Sequence, residues 1–292
     1  MKTVRKAVIP AAGLGTRMLP ISHAVPKETL PIVDMPAVAY LVEEAAKSGI
    51  TDILIITNRD KEGMENFFDY SPEYEQALLN KGRNEEVARL REIADMANVT
   101  FLRQKEARGL GHAVARARAF VGEEPFVVLY GDDIIFSETP VARQLIDAYA
   151  AYGRPVAGVK EVPKADLSRY CSLKVAPIAG SDAAYFCDDM IEKPRAGEEF
   201  SNFSILGRVL LEPDVFDILD GLAPGAGGEI QLTDAMAGIA RTRGMTALAF
   251  EGERFDMGSK LGFLQANVVR GVAHPEVGEQ FAAFLREFCK TL

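Results

Sequence analysis

Apolar positions come in short blocks along the first half of the chain. Residues 6–11 form one such run, and residues 52–57, Asp-Ile-Leu-Ile-Ile-Thr, form another. Continuous apolar runs of this length suit strands covered on both faces, as in a parallel sheet. Between the two runs, Val38, Leu41, Val42, Ala45 and Ala46 recur at helical spacing, and Gly49 stands where a C-terminal cap belongs. The pattern then predicts a polar helix over 73–97, a strand over 99–103 and a helix over 109–120 opened by glycines. A further strand over 125–130 runs into Gly131-Asp132-Asp133. Strands alternating with helices predict a parallel sheet with helices on both faces.

After Pro155 the strands shorten and crowd together, at 156–161, 173–175, 183–191 and 204–210, with few helices among them. This predicts mixed or antiparallel pairing added to the main sheet. Helices are expected over 213–220, 230–241, 260–270 and 277–290, and a strand over 246–250. No internal repeat or low-complexity linker interrupts the chain. The expected architecture is one α/β domain over 1–292, Rossmann-like, with a mixed, mostly parallel central sheet flanked by helices. It carries a small substrate-side β elaboration and a C-terminal helical tail.

With 292 residues and 48% hydrophobic content, the chain can bury a large core without disulfide or metal staples. A formal charge of −9 argues against nucleic-acid or anionic-membrane partners, which require a basic face. A phosphorylated ligand would have to be captured by local cations. Three widely spaced cysteines, Cys171, Cys187 and Cys289, form no paired motif and suit a reducing cytoplasm. His23, His112 and His274 lack metal-ligand spacing. The N-terminal apolar run is too short for a secretion signal, and no run approaches the ~18 apolar residues of a spanning helix, so a soluble cytoplasmic protein is expected.

Candidate chemistry concentrates in residues 13–32, GLGTRMLPISHAVPKETLPI, directly after the first apolar run. Glycines there let backbone N–H groups approach a phosphate or base closely. Arg17 and Lys27 add two cations. The segment lacks the Gly-Lys-Ser/Thr of a Walker A loop, and Met18 stands where the third glycine of Gly-x-Gly-x-x-Gly belongs. Thr57-Asn58 also replaces the acidic residue that a dinucleotide-binding enzyme places after its second strand. In open α/β sheets ligands sit beyond the carboxyl ends of the strands. Asp132, Asp133 and Asp256 fall at such places, where two carboxylates suit Mg²⁺ and an Asp after glycine equally suits a turn. By themselves, Gly109-Leu110-Gly111 is a weak motif and Glu192-Lys193 an ordinary solvated pair. His112 fits a packing or capping role.

Residues 13–32 taken together resemble the signature of the sugar-nucleotide pyrophosphorylases, and their GLGTRMLP…PKE…LPI form is similar to the bacterial UTP–glucose-1-phosphate uridylyltransferases. Four later segments resemble the same family in order: Gln104 with Gly109-Leu110-Gly111-His112-Ala113, Glu192-Lys193-Pro194, Ser201-Asn202 with Gly207-Arg208, and Gly228-Glu229-Ile230-Gln231-Leu232-Thr233-Asp234. The resemblance covers about 6–262. It implies a nucleotidyltransferase fold with a nucleotide-binding half over about 1–155, a sugar-phosphate half over about 156–262 and C-terminal helices over 263–292.

The implied reaction is Mg²⁺-dependent attack of glucose 1-phosphate on the α-phosphorus of UTP, giving UDP-glucose and pyrophosphate without a covalent intermediate. The resemblance gives catalytic roles to Arg17 and Lys27. It implies nucleotide contacts from Ala11, Ala12, Gly13, Leu14, Gly15, Thr16, Glu28, Gln104, Gly109 and Asp132, with Gln104 and Gly109 at the base. Glu192, Lys193, Asn202 and Glu229 would hold the sugar phosphate, and Asp132 and Asp256 the metal. Members of the family commonly form dimers or tetramers, so a homo-oligomer is expected. Two positions depart from the family. His23 replaces a common lysine, and Cys171 follows Tyr170 where glycine is usual, so its side chain is expected to crowd the hexose. A sister enzyme using another hexose or dTTP, and a sensor without chemistry, are the alternatives.

Overall fold

Of the 292 residues, the structure, a computed structural model, describes 2–59 and 61–292. Its strands, in chain order, are β1 (Lys6–Pro10), β2 (Pro31–Ile32), β3 (Met35–Pro36), β4 (Asp52–Thr57), β5 (Asn98–Arg103), β6 (Phe126–Leu129) and β7 (Asp133–Phe136). They continue with β8 (Val156–Glu161), β9 (Cys171–Pro177), β10 (Ala184–Glu192), β11 (Phe203–Leu211), β12 (Met245–Ala249) and β13 (Glu253–Asp256). The helices are α1 (Ala37–Lys47), α2 (Glu62–Phe67), α3 (Pro72–Leu79), α4 (Asn84–Ala94), α5 (Leu110–Ala115) and α6 (Arg118–Val121). After them come α7 (Val141–Tyr152), α8 (Val215–Gly221), α9 (Leu232–Arg243), α10 (Lys260–Val272) and α11 (Gly278–Phe288).

The apolar runs become the centre of a nine-stranded sheet in the order β5-β4-β1-β6-β11-β8-β12-β10-β9. The first four strands are parallel, and β12 runs parallel to β8; β11 and β10 are reversed against their neighbours. Both faces are buried, as the continuous runs predict. Along β1, Ala7 and Ile9 join a core with α1 and α7, while Val8 joins the opposite core with α5, α8 and α9. The same alternation holds for Ile53 and Ile55 against Leu54 and Ile56 on β4. Helix α1 ends as expected: Gly49 takes φ +88°, its N–H donates to Ala46 O, and the Ile50 N–H donates to Ala45 O.

Three differences from the sequence pattern have local causes. The expected helix over 73–97 is two, α3 and α4, because Gly82 at φ +75° turns the chain between them. The helix over 109–120 also divides, where Arg116 and Ala117 donate to residues three positions back rather than four. Asp133 does not end a strand. It opens β7, which pairs antiparallel with β13 in a small sheet of its own and brings Asp133 opposite Asp256 in register. Helices α2 and α7 are not among the elements expected above, although α7 carries the helical spacing, with Val141, Leu145, Ala148 and Tyr149 buried along one face. Among the described residues, no helix is long and apolar enough to cross a membrane.

A buried ion pair fixes this small sheet to the large one. Gly207 takes φ +85°, and the β11–β8 register jumps between Ile205 and Val209. Arg208 is fully buried; its Nε and Nη2 donate to the two Glu44 carboxylate oxygens of α1 at 2.9 and 2.6 Å. Arg208 Nη1 also donates to Asp133 O at 2.9 Å, and the Ala142 N–H of α7 donates to Glu44 Oε1 at 3.0 Å. Removing one partner strands the other charge in a dry site. Glu44→Ala should cost about 3–5 kcal/mol in reversible urea unfolding, and Glu44→Leu with Arg208→Met should recover much of it. An unchanged midpoint for Glu44→Ala would contradict this anchoring role.

Candidate active site

Close backbone approach at the carboxyl edge of the sheet places the first acidic group. A Cβ on Gly131 would lie 2.5 Å from Pro10 O, so only glycine lets the end of β6 meet the end of β1 here. The chain then turns outward at Asp132, and the Met257 N–H donates to Asp132 O at 2.8 Å, which brings the end of β13 alongside. There the Gly258 N–H donates to Asp256 Oδ1 at 2.9 Å, and Ser259 caps α10 by accepting from Gly262 N.

Residues 13–30 fold over this edge in three short 3₁₀ turns, at Thr16–Met18, Ile21–His23 and Lys27–Thr29. Gly15 at φ +68° opens the first, and Ser22 Oγ donates to its carbonyl at 2.8 Å. The fold delivers two cations to the two aspartates. Lys27 Nζ donates to Asp132 Oδ2 at 2.6 Å, Arg17 Nη2 donates to the same oxygen at 3.2 Å, and Arg17 Nη1 donates to Asp256 Oδ2 at 2.7 Å. Against the cost of burial, Lys27 and Arg17 hold the Asp132 carboxyl below the ordinary carboxylate range. Burial also opposes the Lys27 charge, but Asp132 outweighs it and holds the ammonium above its usual value. Asp132 and Lys27 therefore form a charged pair at neutral pH.

Asp133, adjacent in sequence, faces elsewhere. Burial pushes its carboxyl up to about 6 against the pull of Arg254, whose Nε donates to Asp133 Oδ1 at 2.6 Å. Its carboxylate is thus committed to a structural pair, while Asp132 and Asp256 face the loop cations.

The remaining expected residues fall into two groups along the same edge. Gln104 is buried beside the loop, its N–H donating to Thr57 O and its Nε2 lying 2.8 Å from His112 Nδ1. Burial, with Arg108 and Arg116, lowers the His112 pKa and favours the neutral imidazole, which accepts from that amide. His112 thus orients Gln104, in line with a packing role. Gly109 at φ +100° sits against the second group: a Cβ there would lie 2.7 Å from both Glu229 Cβ and Ile230 O. Backbone bonds from Ile230 N to Arg108 O and from Gly111 N to Ile230 O join the two glycine-rich segments side by side.

Glu192, at the end of β10, accepts from Thr233 Oγ1 at 2.8 Å, so Thr233 does more than open α9. Lys193 follows at φ +48°, its N–H donating to Tyr170 O at 2.7 Å. Asn202 is exposed, and its backbone carbonyl accepts from the Val162 N–H at 3.0 Å. Cys171 does not crowd this space. Its sulfur is turned into β11, accepting from the Ile205 N–H at 3.3 Å beside Ser204 Oγ at 3.5 Å, and the residue is buried.

Two contributors carried no sequence signal. Lys61 and Asn58 lie past the end of β4 and reach back to the carbonyls of residues 11–13. Lys61 Nζ also donates to Glu28 Oε2 at 2.7 Å. Burial raises the Glu28 pKa against the pull of Lys61, so Glu28 is built into the underside of the loop.

Comparison with known proteins gives a consistent assignment. The nucleotidyl transferase family model matches residues 6–269. UTP–glucose-1-phosphate uridylyltransferase YngB of Bacillus subtilis is 49% identical over 289 residues, 99% of this chain and 97% of that protein. A UTP-bound UGPase from Acinetobacter baumannii superposes with a TM-score of 0.89 at 35% identity, covering 98% of this chain and 99% of its own. A UDP-glucose pyrophosphorylase complexed with UDP-glucose has a TM-score of 0.83 at 36% identity, covering 92% and 98%.

The placement of the thiols is directly testable. Cys289 is exposed, whereas burial pushes the Cys171 and Cys187 thiols up to about 11 and about 12. A disulfide reagent at pH 8 should titrate Cys289 rapidly and the other two only after unfolding, and Cys289→Ser should abolish the fast phase. A fast phase persisting in Cys289→Ser would contradict the burial of Cys171.

Proposed function

The chain belongs to the nucleotidyl transferase family, and we infer that it joins UTP to glucose 1-phosphate, forming UDP-glucose and releasing pyrophosphate. The cluster of Arg17, Lys27, Asp132 and Asp256 at the sheet edge carries this reading to particular residues. The half over about 1–155 takes the nucleotide, and the half over about 156–262 takes the sugar phosphate.

A sugar phosphate is largely dianionic at pH 7, its second pKa being about 6, so its oxygen attacks the α-phosphorus without a general base. Positioning and charge neutralisation then supply most of the rate. Arg17 and Lys27 exchange their aspartate partners for the triphosphate and stabilise charge at the α-phosphate and on departing pyrophosphate. Gln104 and Gly109 receive the uracil edge. Lys193 aligns the attacking phosphate, while Glu192, Asn202 and Glu229 take the glucose hydroxyls. The Thr233 bond holds Glu192 in one orientation for that contact.

Asp132 and Asp256 supply hard oxygen donors suited to Mg²⁺ shared with substrate phosphates. Their surroundings fit such an ion: a Cβ at Gly258 would lie 2.8 Å from Asp132 Oδ2 and 2.9 Å from Asp256 Oδ1, so the space among these groups depends on glycine. Bound there, Mg²⁺ would offset phosphate charge. The exposed apolar residues Leu261, Leu264 and Val268 on α10, with Phe284 and Phe288 on α11, support a homo-oligomer built through the C-terminal helices. The composition supports a cytoplasmic location.

Pyrophosphate release should be strongest with UTP and glucose 1-phosphate when five nucleoside triphosphates are crossed with several sugar 1-phosphates, should stop with a chelator and should return with Mg²⁺. A preference for another pair would move the assignment to a sister enzyme. Lys27→Ala should lower kcat by about 10²–10³-fold with little change in melting temperature. Parallel loss of kcat and of stability would contradict its catalytic role.

A further inference from the structure

Three consecutive carbonyls at the start of the nucleotide loop are each held by a side chain from outside it. Ala11 O accepts from Lys61 Nζ at 2.5 Å, Ala12 O from Asn58 Nδ2 at 2.7 Å, and Gly13 O from Lys61 Nζ at 3.0 Å. Lys61 is only 6% exposed, and its remaining bond, to Glu28 Oε2, ties it to the far end of the same loop. The Ala11 N–H donates to Ile56 O at 2.8 Å, so the loop leaves β1 in a fixed direction.

A trans peptide points its C=O and N–H to opposite sides. Holding carbonyls 11, 12 and 13 therefore fixes where the amides of Ala12, Gly13 and Leu14 point. Among the described residues, none of these three amides has a protein acceptor. Successive free N–H groups form an anion-binding concavity, and this one lies beside Lys27, whose Cε and Nζ lie 3.9 and 4.0 Å from a Cβ built on Gly13. A flexible loop would have to order these amides at the moment of binding. Here the bonds from Asn58 and Lys61 supply that order from within the protein.

We propose that Asn58 and Lys61 are positioning residues for the triphosphate: by gripping carbonyls 11–13 they aim the amides of residues 12–14 at its phosphate oxygens. This rests on the uridylyl-transfer reading above and adds to it two residues from the β4–α2 connection. Asn58 thus occupies the place where a dinucleotide-binding enzyme has an acid, and it does opposite work: it donates to protein instead of accepting from a ribose. The effect is specific to one substrate. UTP and pyrophosphate depend on these amides, whereas glucose 1-phosphate is held by the other half of the site.

Asn58→Asp keeps the size of the side chain but removes its donor. Calorimetric titration with UTP and Mg²⁺ should show binding weakened by about tenfold or more, while KM for glucose 1-phosphate stays within about twofold and the melting temperature is unchanged. Asn58→Ala should fall with Asn58→Asp. Lys61→Met, if it folds, should lose more UTP affinity than either; if it does not fold, the Asn58 pair decides. UTP affinity within about twofold of wild type in Asn58→Asp, or equal loss for both substrates, would overturn the proposal. Wild-type protein that makes no UDP-glucose would sink the reaction assigned above and this inference with it. An active wild type with an unaffected Asn58→Asp sinks this inference alone.

Discussion

Asp132 is the group on which the arrangement of the site depends. Its carboxylate accepts from Lys27 and Arg17, drawing residues 13–30 onto the carboxyl edge of the sheet. Its carbonyl accepts from Met257 N, drawing in the turn that carries Asp256. Gly131 before it and Gly258 beyond Asp256 leave the space that side chains would fill. In a chain of net charge −9, an anionic ligand is repelled by the surface as a whole. Capture therefore depends on a few cations held in place by acids they can release. A part-buried Lys–Asp pair does this: each partner keeps the other charged, and an incoming phosphate or metal can replace either.

The seam between residues 108–111 and 229–231 joins the two halves of the site. Its backbone bonds and the close approach at Gly109 leave no room for the segments to drift apart. In the reaction proposed above, a base on one side and a sugar on the other would be presented at a fixed separation, which is the positional requirement of a displacement between two bound substrates. Cys171 is held from beneath: its sulfur serves as a hydrogen-bond acceptor for the Ile205 N–H of β11.

Much of this was legible in the sequence because it depends on local pattern. The continuous apolar runs of β1, β4 and β6 revealed a doubly covered sheet, and 13–32, with its glycines, cations and Pro-Lys-Glu, revealed the loop. What stayed hidden depends on distant contacts. Asp132 and Asp133 read alike in sequence; only the Arg254 contact to one and the Lys27 contact to the other separate their roles. Lys61 looks like any surface lysine, since its burial arises from three acceptors, at residues 11, 13 and 28, that the fold brings to it. The break at Gly82 and the short strands β7 and β13 lack the repeated spacing that a periodicity argument needs.

In the reaction proposed above, these residues align and neutralise while the sugar phosphate attacks the α-phosphorus directly. The stereochemistry of the transfer tests this most directly, using UTP made chiral at the α-phosphorus by one sulfur and determining the configuration of the UDP-glucose product. A single in-line displacement predicts inversion. Retention would mean two displacements through a covalent enzyme intermediate, requiring a nucleophilic side chain at the α-phosphorus, a role that none of the residues above is given.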